Sequence, residues 1–169
     1  MNETTDKQLT EKRPDFLKNL CILTFISTGL EIIKTIFFEL LFGPKSEEIM
    51  REEKVALASQ ISEVKDLGID YMVDMLDKIG TMSYQLNENF YLAHLIHLIT
   101  ASLGLYSAIK MWQGFKFGFK LYTLYSLLAV IGIYLYISPS NIPSSVIIFN
   151  ILFSALFIFL YSRNLHWMK

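Results

Sequence analysis

Apolar positions fall into four long runs, and charge and polarity return between them. Leu20 to Phe42, Phe90 to Trp112, Leu121 to Ile137 and Val146 to Ser162 are these runs. Each supplies the roughly 17–25 helical residues needed to cross a hydrocarbon core of about 30 Å. Gly43-Pro44 should end the first, because proline cannot continue a helix and glycine accepts a cap conformation. Ser138-Pro139-Ser140-Asn141-Ile142-Pro143 predicts a tight turn between the third and fourth. The pattern predicts an all-α fold, a four-helix transmembrane bundle over residues 20–162. Its spans are expected at 20–42, 90–112, 121–137 and 146–162, with polar tails at 1–19 and 163–169.

Residues 45–88 break the apolar pattern with five basic and ten acidic side chains. They still carry helical periodicity. Leu57, Ile61 and Val64 recur at i, i+4 and i+7, and Ile69, Met72, Val73, Leu76 and Ile79 repeat the spacing opposite Asp70, Asp74 and Asp77. Two amphipathic helices with a break at Gly68 are expected between spans one and two. They would form a hairpin that caps the bundle or lies at the headgroups, and that offers a docking surface to a partner.

Span one carries Glu31, Lys34 and Glu39. Its fourteen strongly apolar residues contribute roughly −4 to −8 kcal/mol to insertion, and two central charges remove roughly 5–7 kcal/mol. Insertion alone is near break-even, so polar partners are required. Glu31 and Lys34, at i and i+3, are one partial answer. At about 100° per residue, Thr24, Ser27, Thr28, Glu31, Lys34, Thr35 and Glu39 share an arc of roughly 140°. Span two has a matching face of Ala93, His94, His97, Thr100, Ala101, Gly104, Ser107 and Ala108. Within it, Thr100, Gly104 and Ala108 form a small-xxx-small row that lets another helix approach closely. Antiparallel spans rising about 1.5 Å per residue bring Glu39 level with His94, and Lys34 level with His97 and Asn150 of span four. An interior cluster of Glu31, Lys34, Glu39, His94, His97 and Asn150 is therefore expected, and intramembrane ionisable groups are functional candidates by default.

Charge refines this picture. Lys and Arg total 15 against 16 Asp and Glu, for a formal net charge of −1. No concentrated basic surface points to nucleic acid. Basic residues gather in the N-terminal tail (Lys7, Lys12, Arg13, Lys18), between spans two and three (Lys116, Lys120) and at the C-terminus (Arg163, Lys169), whereas the turn between spans three and four has none. The positive-inside rule then puts both termini in the cytoplasm. The polar, mixed-charge start does not resemble a signal peptide, so the first apolar run is expected to be retained.

Catalytic signals are weak. The single cysteine, Cys21, excludes dithiol chemistry within the chain. His94 and His97 have HxxH spacing without the flanking glutamate of HExxH, and His166 lies at the other end of the bundle. Glu47-Glu48-Ile49-Met50-Arg51 is one residue short of the EExxxR motif of intramembrane CAAX-type proteases. No nucleophile elbow or phosphate-binding glycine loop occurs. No catalytic residue, metal or cofactor is assigned.

From Tyr106 to Tyr122 the chain reads YSAIKMWQGFKFGFKLY. Met111-Trp112, Lys116, Gly118-Phe119 and Tyr122 resemble a feature of small four-span bacterial inner-membrane proteins of unassigned role. That resemblance implies a multi-pass protein of the plasma membrane. The expected function is a non-enzymatic accessory or assembly subunit of a larger membrane complex, alone or as a homo-oligomer in the lipid bilayer. The alternative is a small ion- or proton-coupled transport or channel component that uses the Glu/Lys/His cluster.

Overall fold

A computed structural model describes residues 13–169. Residues 1–12, which hold Lys7 and Lys12 of the basic tail, lie outside the described residues. Every regular element among the described residues is helical. Helix α1, Asp15–Lys34, starts five residues before the expected boundary at Leu20. Asp15 complements the positive end of its dipole, and Leu17 is already fully buried. A π turn, Thr35–Glu39, and a short α2, Leu40–Phe42, complete the run before Gly43 turns the chain with φ of 73°.

The acidic segment forms α3, Glu47–Asp66, and α4, Asp70–Glu88. Ser46 caps α3 by accepting a hydrogen bond from the Ile49 N–H, and Gly68, φ 73°, makes the expected break. Beyond Asn89 come α5, Phe90–Trp112, and α6, Lys116–Ile131. A tight 3₁₀ turn, Gly132–Leu135, extends α6, and α7 is Ser144–Ser162. Four stretches are long and apolar enough to cross a membrane: Asp15–Leu40, Phe90–Trp112, Lys116–Leu135 and Ser144–Ser162. The third starts at Lys116 rather than Leu121, because Lys116 and Lys120 occupy its first turns, where their stems can reach the interface. The fourth starts at Ser144 rather than Val146.

Helix α5 packs against both α1 and α6, and α7 packs on α6 and reaches α1 through Tyr161. Gly104 explains how closely the helices meet. A Cβ there would lie 2.8 Å from the Tyr125 ring and 2.9 Å from Thr28 Cγ2. Ala93, Ala101, Ser107 and Ala108 are buried along the same face of α5, as the small-residue pattern predicts.

The two ends of the bundle are built differently. At one end both termini of the described chain converge on the α5–α6 turn. The Lys116 N–H donates to the Lys169 carbonyl at 2.8 Å, the Lys169 N–H donates to the Gly114 carbonyl at 2.7 Å, and the Arg13 guanidinium stacks 3.9 Å over Trp112. Leu17, Leu20, Cys21, Met111, Tyr122, Tyr161 and Met168 form a core there, pinned by a 2.8 Å hydrogen bond between Thr24 Oγ1 and the Tyr161 hydroxyl. At the opposite end, Met82 and Leu86 of α4 pack against Ala93, Tyr136, Ile137 and Ile142. Side-chain amides lock this junction. The Ser138 N–H donates to Gln85 Oε1 at 3.1 Å, Asn89 Nδ2 donates to the Tyr136 carbonyl at 3.1 Å, and Asn87 bonds both backbone groups of Lys45. The hairpin is thus fixed to the bundle by the last turns of α4, and α3 rests on α4.

A polar cluster inside the helix bundle

Span one buries its polar face. Thr24, Thr28 and Thr35 are at most 4% exposed, while Leu23, Ile26, Leu30, Ile33, Phe37 and Phe38 point outward. That inverts a soluble amphipathic helix, as a lipid solvent requires. The shielding covers only part of the predicted arc. Ser27 and Lys34 lie on its flank and are exposed, with the Lys34 side chain 60% exposed. Complete enclosure of the stripe is therefore corrected. The flank turns away from α5, and Lys34 extends along its own helix toward Glu39 instead.

The π turn makes that contact possible. Five residues of α-helix advance about 500°, which would leave residues 34 and 39 roughly 140° apart. Widening the coil across Thr35–Glu39 returns Glu39 to the side of Lys34. Lys34 Nζ lies 2.8 Å from Glu39 Oε1, and the Thr35 hydroxyl donates to Oε2 at 2.9 Å. The sequence offered Glu31 as a partial partner of Lys34, and the direct contact is made by Glu39. Its cause is the extra backbone residue, which a uniform helical projection does not contain.

Glu39 Oε2 also lies 3.2 Å from His94 Nε2. His94 is 5% exposed and stacks on the Phe90 ring at 4.0 Å between centroids. Its other ring nitrogen, Nδ1, lies 2.6 Å from the Phe90 carbonyl oxygen. Both nitrogens therefore face acceptors, yet a neutral imidazole has only one N–H. A second ring proton, or one on Glu39, would complete both contacts. Both arrangements hold one proton more than a neutral ring beside a carboxylate. Formal charge points the same way. Lys34, Glu39 and Glu31 sum to −1, and the added proton brings the group to zero, which lowers the cost of holding it out of water.

His97 sits one turn deeper. Its Nε2 lies 2.8 Å from the Tyr136 hydroxyl, its Nδ1 lies 3.9 Å from Glu31 Oε1, and its ring centroid is 6.1 Å from that of His94. The two groups therefore adjoin along one face of α5. Glu31, His97, Thr100, Tyr125, Tyr136 and Asn150 are among the residues lining a cavity of about 370 Å³ that touches all four spans. Asn150 stands on the α7 wall and remains exposed, so it belongs to the cavity and not to the ion-paired group. All six predicted residues meet in one region, in two linked sets.

Tyr136 and Tyr125 were missed as site residues. Tyr136 follows the 3₁₀ turn at Gly132–Leu135 and lies against α5, hydrogen-bonded to His97. Among the described residues no three His, Cys, Asp or Glu side chains converge as a metal-ligand set. In comparisons with known proteins, the chain matches no family model, no curated protein and no solved structure.

Proposed function

We propose that this chain is a multi-pass bacterial plasma-membrane protein whose Lys34–Glu39–His94 group takes up and releases a proton, as part of ion- or proton-coupled transport. One observation carries the reading: His94 lies between two oxygens, the Phe90 carbonyl and Glu39 Oε2, so the group has a place for a proton that a neutral imidazole beside a carboxylate lacks. The π turn supports it, since such irregularities concentrate at functional sites. The closed core at the terminal end and the cavity beside His97 favour access from the hairpin end. The basic residues near Lys116, Lys120, Arg163 and Lys169 favour cytoplasmic termini.

Purified protein in proteoliposomes tests the reading. An imposed pH gradient should decay faster than in empty vesicles, and Glu39→Gln or His94→Gln should return the decay to background while the melting temperature stays near that of the parent. Unchanged decay in both folded variants would refute it.

A second reading, an accessory or assembly subunit, is favoured by the α3–α4 hairpin. Ile49, Val55, Leu67, Tyr71 and Tyr84 are exposed on it. Under this reading a mild-detergent pull-down recovers a defined membrane partner from the parent chain, and deleting residues 45–79 loses it.

A further inference from the structure

The cavity beside the proton site has its own chemistry. Its volume, about 370 Å³, lies at the small end of the range for ligand pockets. Glu31 is the one permanently ionisable acid on its wall. The nearby ammonium of Lys34 makes its direct contact with Glu39 at 2.8 Å, and the ion-pair neighbour of Glu31 is the His97 ring at 3.9 Å. Two tyrosines, Tyr125 and Tyr136, line the same space, together with the apolar Ile96, Leu128 and Ile133. A carboxylate beside two tyrosine rings and several aliphatic side chains complements a cation that is large and weakly hydrated. Charge supplies the attraction, and the ring faces accept alkylammonium groups.

We propose that this cavity binds a monovalent organic cation, of the quaternary ammonium class, in exchange for a proton. Glu31 supplies the charge, and Tyr125 and Tyr136 supply the aromatic walls. The proposal names a substrate class for the transport reading and rests on that reading for the exchange with protons. The titratable groups that face Glu31 are His97 from α5, Tyr125 from α6 and Tyr136 beyond it, with Lys34, Glu39 and His94 toward the hairpin end. A proton on Glu31, or a second one on His97, cancels the attraction for the cation. Cation and proton therefore compete.

Calorimetric titration of the full chain in mild detergent tests this with choline and its uncharged isostere 3,3-dimethylbutan-1-ol. At about pH 8, choline should bind at one site per chain and the isostere should not. Binding should weaken as the pH falls to about 5.5, where imidazole gains a proton. Glu31→Gln should lower affinity at least about tenfold, Glu31→Asp should retain measurable binding, and Glu63→Gln on the hairpin should change nothing. Equal uptake of the isostere, or choline binding indifferent to Glu31→Gln, would overturn the site. Binding that is the same at both pH values would overturn the exchange. Absence of choline binding while the parent chain still dissipates a pH gradient overturns the cation site alone. Absence of both removes the transport reading as well.

Discussion

At the level of single residues, buried polar groups decide which helices touch. Thr24 and Tyr161 share a hydrogen bond of 2.8 Å across the α1–α7 gap, beside a weaker contact between the Cys21 thiol and the same hydroxyl. Thr24→Val keeps the shape and takes the hydroxyl partner from Tyr161, which should cost about 1–3 kcal/mol. A lowered melting temperature in detergent with helix content preserved would report it. Gly104 makes the opposite case, since there space and not polarity is limiting. Gly104→Ala drives a methyl group against Tyr125 and Thr28 and should destabilise the fold by about 1–3 kcal/mol. Gly29→Ala, with nothing within 4 Å of the added carbon, should leave the melting temperature unchanged or slightly raised.

Among the helices, the first span shows what the sequence reveals and what it conceals. Its polar arc was legible, because Thr24, Thr28 and Thr35 recur at helical spacing and all three are buried. The hairpin was legible too, from the apolar spacing on either side of Gly68, where φ is 73°. The π turn was not. Its five residues, Thr-Ile-Phe-Phe-Glu, read equally well as α-helix, and only the tertiary pairing of Glu39 with both Lys34 and His94 selects the wider coil. Tyr136 was hidden for a related reason. It follows a 3₁₀ turn whose departure from 3.6 residues per turn redirects every side chain after it. A π turn amounts to one residue inserted into an α-helix, which yields a prediction. Deleting the outward-pointing Phe37 should leave Lys34 and Glu39 at i and i+4, still paired, with proton flux retained. Deleting the equally exposed Ile26 rotates everything beyond it by about 100° and should abolish flux. Equal flux from the two deletions would show that the register of span one does not matter.

For the molecule as a whole, an even number of spans brings both ends of the described chain to the α5–α6 turn, as the Lys169–Gly114 hydrogen bond records, and sends the hairpin to the far side. Cysteine introduced at Asp70 and at His166, in a Cys21→Ser background, should be labelled from opposite faces of intact vesicles. Labelling of both from one face would contradict the four-span arrangement. Within that arrangement the bundle is asymmetric. An aromatic and aliphatic core closes the terminal end, and a polar cavity lies toward the other. Helix α7 contributes Asn150 to the cavity and otherwise presents Ile148, Phe149, Leu152, Phe153, Leu156 and Phe159 outward, as a lipid-facing helix should.

A proton shared between His94 and Glu39 is the premise of the proposed function, and nuclear magnetic resonance of the full chain in lipid bilayers can observe it directly. Nitrogen-15 shifts of the His94 ring and the carbon-13 shift of the Glu39 carboxyl, read near neutral pH, should report either a doubly protonated ring beside a carboxylate or a singly protonated ring beside a carboxylic acid. A singly protonated ring beside a fully ionised Glu39 would contradict the account.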